Sequence, residues 1–466
     1  MNIIRYWNDL SLRLVADDHT GSPAPANQGG PTRTSYALAM LHLAMHDTVA
    51  GIDGSFAAYA TTPVPAPAGS QQQQAASSAA NYMALHLYPS HAAMIDTAFQ
   101  AARNLLGVTG TFPTASEQYG IDVAEALIDQ RLADGTKTFE DYHYQPDPGA
   151  HRPDPTSPGQ SALGPEWGKV TPFTYAAGAH PSLPAPPPLL SKEYLAAYNE
   201  VITEGRDDLS RRKPQQAMKG IFWGYDGAQK LGTPPRLYNQ VVRAITDPLN
   251  LAEVEEVRLL TLVNVGMADA GIACWHHKYV YNFWRPVVGI REAAFGAGPS
   301  GLGDTAKATE GDPFWLPLGA PDSNGSRGKN FTPGFPAYPS GHSTFGATCF
   351  LLLAKFLGKH PKDVKFEFVS DEFNGVSRDT TGIVRPRLRR WFTLAQAIEE
   401  NADSRIYLGV HWKFDATQGI KLGEALVPKI YSKLGSPKAP KTTAVVKAAA
   451  PAPAQQAIPG WRDPHR

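Results

Sequence analysis

The sequence predicts a mainly α-helical protein in which long proline- and glycine-rich loops connect helical bundles. Apolar residues recur at helical spacing through most of the chain, whereas the period-two pattern of strands is scarce. Three long segments, 59–76, 143–191 and 296–339, are rich in proline and glycine. Because structureless loops of this length are uncommon in compact proteins, we expect them to serve function.

The amphipathic pattern locates the helices. The longest and least interrupted covers 252–283, and Pro286 is expected to end or kink it. Helices are predicted at about 3–16, 34–52, 79–106, 115–133, 193–206, 235–246, 252–283, 343–358, 386–408 and 415–433.

The pattern of predicted helices indicates one α-helical domain over residues 1–434, or two helical bundles at about 1–190 and 191–434. From Gly435 the composition changes to alanine, proline and lysine, with little to bury. Residues 435–466 are therefore predicted to form a disordered or loosely packed tail.

Bulk composition excludes several classes of protein. Basic and acidic residues both number 43, so no net charge attracts nucleic acid or an anionic membrane. The N-terminus lacks the features of a secretory signal, and no apolar run looks long enough to span a bilayer. We expect a soluble protein, either cytoplasmic or exported by a non-classical route. Cys274 and Cys349 exclude a disulfide framework; buried thiols are expected, with a single bridge as the alternative.

The first cluster of chemically informative residues is at the end of the long helix. Lys278 and Arg285 are seven residues apart, which is two helical turns on one face, and Trp275 joins that face. Two cations on a helix face usually form a solvated stripe. Because this face also carries large aromatic side chains, we expect the cations to point into the protein.

The second cluster is "FPAYPSGHS", immediately before a strongly apolar helix. Pro339 is expected to set the entry turn and Ser340 to occupy the N-cap position, so that the helix begins at Gly341 and His342. The first helical amides have no internal partner and lie at the positive end of the dipole. Gly341 lets an anion approach the backbone, and His342 is expected to titrate near neutral pH. A plain N-cap is the alternative.

The third cluster is "SRIYLGVHW". Arg405 is predicted near the end of a helix, Gly409 just beyond it, and His411 at the entry to the next helix. Combined, the three clusters contain a binding set for a tetrahedral oxyanion of phosphate size. One histidine can ligate or attack the central atom, and the other can move protons. The set comprises Lys278, Arg285, Arg405, Ser340, Gly341, His342 and His411.

In this order, Lys278-X6-Arg285-Pro286, Pro339-Ser340-Gly341-His342 and Ser404-Arg405-X5-His411 resemble the three-part motif of vanadium-dependent haloperoxidases. That superfamily also contains type 2 phosphatidic acid phosphatases and bacterial acid phosphatases. Further stretches such as "ALAMLHLAMHD", "FWGYDGAQKLGTPPRLYNQVVR" and "GVHWKFDA" resemble the chloroperoxidase branch, so the similarity covers about residues 5–430. The gap between His342 and Ser404 is longer than usual, and the surplus at 360–386 is predicted to be a surface insertion.

The resemblance implies a vanadate cofactor. It assigns vanadium binding to His411, acid–base catalysis toward hydrogen peroxide to His342, and polarisation of peroxide to Lys278. The cofactor oxygens are assigned to Lys278, Arg285, Ser340, the Gly341 amide and Arg405.

The resemblance also implies a halide pocket and a supporting aspartate. Trp275 and Phe335 correspond to positions on the halide side, and the bromoperoxidases have histidine at the position of Phe335. Asp226, in "WGYDG", resembles an aspartate that pairs with the arginine corresponding to Arg405. The alternative for Asp226 is a turn residue before Gly227.

These assignments predict a haloperoxidase that oxidises chloride or bromide with hydrogen peroxide to a hypohalous species, which halogenates a small organic acceptor. The alternative is an acid phosphatase on the same anion site, with His411 as nucleophile and His342 as general acid. A third hypothesis is an anion-binding protein without catalysis. The oligomeric state is left open.

Overall fold

The computed structural model describes residues 2–21, 26–60, 65–208, 212–293, 311–325 and 328–435, and within them it is mainly helical, which confirms the predicted fold class. The helices are α1 (Ile3–Asp18), α2 (Gly30–Asp53), α3 (Gln72–Leu87), α4 (Ala92–Leu105), α5 (Ala115–Gln130), α6 (Lys192–Glu204), α7 (Pro214–Phe222), α8 (Pro234–Thr246), α9 (Glu253–Tyr281), α10 (Pro286–Glu292), α11 (Gly341–Phe356), α12 (Leu394–Tyr407) and α13 (Lys413–Ile430). The strands are β1 (Lys365–Asn374) and β2 (Arg387–Thr393). The predicted tail after Gly435 and part of the predicted loop at 296–339 lie outside the described residues.

The predicted helix at 79–106 is wrong as a single element. It is divided into α3 and α4, with Tyr88 at φ −129° and ψ 57° between them. Pro89 causes this break, because a proline has no amide hydrogen to donate and disfavours helical backbone at the preceding residue. The short helices α7 and α10 were not predicted.

The predicted helix at 386–408 is also wrong in its first part. Residues 387–393 form β2, which pairs antiparallel with β1 from Lys365 opposite Thr393 to Val369 opposite Arg389. Helix α12 begins only at Leu394, where Thr393 and Gln396 form a capping box.

The prediction of a surface insertion at 360–386 is wrong for β1. Phe366 and Phe368 of this strand are buried, and the Phe368 ring lies 5.9 Å from that of Phe222 at the end of α7. Asp371 and Glu372 are also buried. The strand therefore packs into the protein beside the loop that follows α7.

Helix α9 is the centre of the main core. It packs against α2, α11 and α13, and its residues from Glu256 to Trp275 are all buried. Contrary to the sequence-based expectation, this helix is long and apolar enough to cross a membrane, but its most apolar stretch is completely buried inside the protein. That environment is typical of a core helix. Both cysteines are buried and free, as expected.

Candidate active site

Segments that are far apart in the sequence converge on one cavity of about 350 Å³. The cavity lies where the C-terminal end of α9 meets the N-terminus of α11, the last turn of α12 and the loop before α13. Of the residues predicted for the site, its walls include Trp275, Asp226, Phe335, Gly341, His342, Arg405 and His411.

Lys278 and Arg285 do not lie on one helix face, so that part of the sequence analysis is wrong. Helix α9 ends at Tyr281, where Asn282 adopts the left-handed conformation with φ 49°. Asparagine tolerates this conformation better than most residues. Arg285 is extended, and Pro286 begins α10 rather than ending α9, since proline fits the first helical position. Both cationic side chains are nevertheless buried.

The Lys278 ammonium group fixes the loop that leads into α11. Its Nζ donates to the carbonyl oxygens of Pro336, Ala337 and Pro339 at 2.8, 3.1 and 2.5 Å. Burial, together with the charge of Arg285, lowers the pKa of Lys278 to about 7. Because an ammonium group has three donors, contact with an oxyanion requires Lys278 to exchange one carbonyl.

Arg285 joins the same loop to His411. Its Nε donates to the Phe335 carbonyl at 2.9 Å, and its Nη1 donates to the Val410 carbonyl at 2.8 Å and lies 2.9 Å from His411 Nε2. Its Nη2 is buried without a hydrogen-bond partner among the described residues. Burial lowers the pKa of Arg285 to about 9.

His411 is oriented by Asp415, which the sequence analysis missed. The His411 Nδ1 lies 2.9 Å from Asp415 Oδ2, and the Trp412 amide donates to the same oxygen at 3.0 Å. A guanidinium only donates, so His411 Nε2, which faces Arg285 Nη1, carries the lone pair and Nδ1 carries the proton. Burial, followed by the charges of Arg285 and Lys278, lowers the pKa of His411 well below its usual value. The available signal was an aspartate four residues after a histidine, in the first turn of a helix.

Arg405 and Asp226 form a buried, bidentate ion pair. Arg405 Nη2 and Nη1 donate to the two carboxylate oxygens at 2.7 and 3.1 Å. The guanidinium lies in the last turn of α12, and the carboxylate lies in the loop between α7 and α8. Arg405 Nε is buried and has no hydrogen-bond partner in the described part of the chain.

The N-terminus of α11 supplies Ser340, Gly341 and His342. Ser340 is the N-cap, and its hydroxyl oxygen accepts from the Ser343 amide at 3.4 Å. The His342 Nε2 lies 2.7 Å from the Gly224 carbonyl oxygen, so this nitrogen carries a proton and donates it. Burial, followed by the charge of Arg405, lowers the pKa of His342 to about 3, so the expectation of titration near neutral pH is wrong.

Trp275 and Phe335 form an aromatic wall of the cavity. Their ring centroids are 4.8 Å apart, and Trp275 Nε1 donates to the Leu163 carbonyl at 3.0 Å. The cationic groups of Lys278 and Arg285 lie 5.0 and 4.9 Å from the Phe335 ring centroid. The Phe335 ring, which lines the cavity, therefore lies against both cationic groups.

The donor set suits an oxyanion and does not suit a metal cation. Within the described ranges there is no group of three or more histidine, cysteine, aspartate or glutamate side chains that could hold a metal ion. Arg285 Nη2 and Arg405 Nε are buried N–H donors without partners, which is costly unless an acceptor binds there. The first amides of α11 have no intrahelical acceptor either. The residues present therefore fit a group such as vanadate or phosphate.

Two matched domain families cover most of the chain. Residues 1–163 match the vanadium chloroperoxidase (VCPO) N-terminal domain, and residues 258–437 match the VCPO second helical-bundle domain. Vanadium chloroperoxidase of Curvularia inaequalis is 33% identical to this chain over an alignment 504 residues long. The alignment covers 89% of this chain and 79% of that protein.

Solved structures share the fold. A bacterial vanadium-dependent iodoperoxidase superposes with a TM-score of 0.72 at 20% identity, over 95% of this chain and 99% of that chain. A holo-type bacterial vanadium-dependent chloroperoxidase superposes with a TM-score of 0.63 at 16% identity, over 90% of this chain and 95% of that chain.

Proposed function

This chain belongs to the vanadium haloperoxidase family, and from that premise we propose that it oxidises chloride or bromide with hydrogen peroxide. The product is a hypohalous species that halogenates small organic acceptors. The cofactor is vanadate. The division of residues 1–434 into one domain or two bundles stays a prediction.

The observation that carries this proposal is the pair of buried, unpartnered guanidinium donors, Arg285 Nη2 and Arg405 Nε. Beside them, the Nε2 lone pair of His411 faces Arg285 Nη1 at 2.9 Å, and Asp415 holds the other ring nitrogen. When bound, vanadate supplies a Lewis acid that activates hydrogen peroxide. We assign vanadium ligation to His411. The cofactor oxygens are assigned to Lys278, Arg285, Ser340, the Gly341 amide and Arg405.

His342 acts as the proton acceptor of the site. Its Nε2–H is donated to the Gly224 carbonyl, which leaves Nδ1 as the nitrogen with a lone pair. Among the described residues, Nδ1 has no protein hydrogen-bond partner, and the ring lines the cavity. Because the imidazole is neutral at pH 7, its Nδ1 lone pair can accept a hydrogen bond from hydrogen peroxide. An oxyanion bound beside the ring would raise the pKa of His342 from about 3 and make it a stronger proton acceptor.

The aromatic wall favours peroxidase chemistry over phosphatase chemistry. Trp275 and Phe335 present apolar rings to the cavity, which suits a weakly hydrated halide and an uncharged acceptor. The same anion site would serve a phosphatase with His411 as nucleophile, so both activities must be assayed.

Reconstitution with vanadate tests the proposal directly. Vanadate-free protein is expected to halogenate monochlorodimedone at background rate, to gain activity in proportion to bound vanadate, and to lose it when phosphate competes. Hydrolysis of p-nitrophenyl phosphate, measured before vanadate is added, is expected to be negligible. Halogenation that ignores vanadate contradicts the proposal, and phosphatase turnover without halogenation establishes the alternative.

Phe335→His is expected to shift halide preference toward bromide, with the bromide-to-chloride ratio of kcat/KM rising about tenfold, equivalent to about 1.4 kcal/mol. An imidazole beside Lys278 and Arg285 hydrogen-bonds to water and hydrates the halide side. Chloride, which is more strongly hydrated and harder to oxidise, loses more than bromide. The matched control is Phe331→His, since Phe331 is a second phenylalanine that lines the same cavity. An equal ratio in both variants refutes Phe335 as the determinant.

A further inference from the structure

The loop between α7 and α8 holds two contacts on which the site depends. The Gly224 carbonyl accepts from His342 Nε2, and the Asp226 carboxylate binds Arg405. Tyr225, between them, has φ 53°, in the left-handed region. A bulky residue is strained in this conformation, which persists only when the surrounding structure holds it.

Strand β1 holds Tyr225 at both ends. The Tyr225 amide donates to Glu372 Oε1 at 3.2 Å, while its phenol oxygen accepts from the Asp371 amide at 2.7 Å. The phenol also donates to Gln240 Oε1 at 2.9 Å. Two adjacent residues of one strand therefore fix the backbone and the side chain of the strained residue.

Glu372 is anchored on its other side. It is 0% exposed, and its Oε2 accepts from Arg385 Nη1 at 2.7 Å and from the Ser323 hydroxyl. The contact with the loop is tight, because a Cβ added at Gly224 would lie 2.9 Å from Glu372 Oε1. The Glu372 carboxylate thus links two groups: Oε1 accepts from the Tyr225 amide, and Oε2 accepts from the Arg385 guanidinium.

We propose that Glu372 is a positioning residue of the active site: it holds the 224–226 loop so that Gly224 fixes the His342 tautomer and Asp226 holds Arg405. This rests on the proposed function for its effect on catalysis. The positioning of the loop by Glu372 does not depend on the proposed function. We therefore expect the segment 360–386 to support the site through the contact of Glu372 with the loop that binds His342.

Glu372→Gln tests this at nearly constant volume. The glutamine carbonyl is expected to face Arg385 and Ser323, which are two donors, and its NH₂ group then meets the Tyr225 amide, which is also a donor. The variant thereby breaks the loop contact selectively. Glu367→Gln is the matched control, since Glu367 lies on the same strand and pairs with the exposed Arg389. Glu372→Ala is the second variant and removes both contacts.

The measurements are made at pH 8, because burial raises the pKa of Glu372 to about 7 and the carboxylate must be ionised. The tautomer of His342 is measured by NMR of ¹⁵N-histidine-labelled protein, in which the His342 signals are identified by their absence from His342→Ala. The wild type is expected to show a single tautomer protonated at Nε2, and Glu372→Gln is expected to show a mixture of the two tautomers. We expect kcat for halogenation to fall about tenfold, with KM for halide changed less than twofold.

The outcomes separate positioning from stability and from function. Wild-type tautomer and kcat in folded Glu372→Gln overturn the proposal. A lower melting temperature with an unchanged tautomer shows a purely structural role and also overturns it. A tautomer change in Glu372→Gln but not in Glu367→Gln supports it, even where vanadate reconstitution gives no halogenation and the proposed function itself fails.

Discussion

Replacing His411 with alanine is expected to raise the dissociation constant for vanadate at least about hundredfold and to remove halogenation. Loss of residues that merely orient a metal ligand typically costs 10- to 100-fold in affinity, so loss of the ligand itself should cost at least the upper value. Within the described residues that line the cavity, His411 Nε2 is the imidazole nitrogen whose lone pair is fixed by a carboxylate on the opposite ring atom. The Arg285 guanidinium and the Lys278 ammonium cannot replace it, because both groups only donate.

Equilibrium dialysis with vanadate measures the affinity, and monochlorodimedone bromination measures the activity. His360→Ala is the control, since this histidine is exposed and lies outside the cavity. The control is expected to retain both properties. Wild-type vanadate affinity in His411→Ala would contradict the assignment of His411 as the vanadium ligand.

The helices that carry the site were predictable from local pattern. Helix α9 has a long apolar run, and α11 has an N-cap serine directly before its first turn. The strand β2 was not, because "RLRRWFT" fits a helical face as well as an alternating strand, and its pairing with β1 is a tertiary contact. Whether a short segment of mixed pattern forms a helix or a strand depends on its tertiary contacts, which the local pattern does not show.

The candidate residues of the site were predicted from motif order, but the connections between them were not. Arg285 was placed on α9 because the left-handed turn at Asn282 leaves only a weak signal in the sequence. The Gly224 carbonyl, which sets the His342 tautomer, has no sequence signal at all, because every residue has a carbonyl group. Asp415 had a signal that was overlooked. The roles of the individual residues stay predictions until they are tested by mutation.

His342→Ala is expected to separate cofactor binding from peroxide activation. The imidazole contacts the Gly224 carbonyl and lies 3.9 Å from Asp226, whereas the Arg285, Arg405 and His411 contacts do not involve it. Vanadate affinity should therefore stay within about threefold of the wild type. Removal of a positioned proton acceptor lowers rates by about 10²- to 10⁴-fold, and kcat should fall in that range.

His19→Ala is the matched control for this prediction, because His19 lines the same cavity and its Nδ1 is engaged by the Val15 carbonyl. It is expected to change kcat less than threefold. Steady-state bromination at saturating peroxide, together with dialysis of vanadate, distinguishes three results for His342→Ala. A fall in kcat at constant affinity identifies His342 as the proton acceptor. A parallel loss of affinity would show that it mainly holds the cofactor, and unchanged kcat would show that peroxide loses its proton to another group, such as water in the cavity.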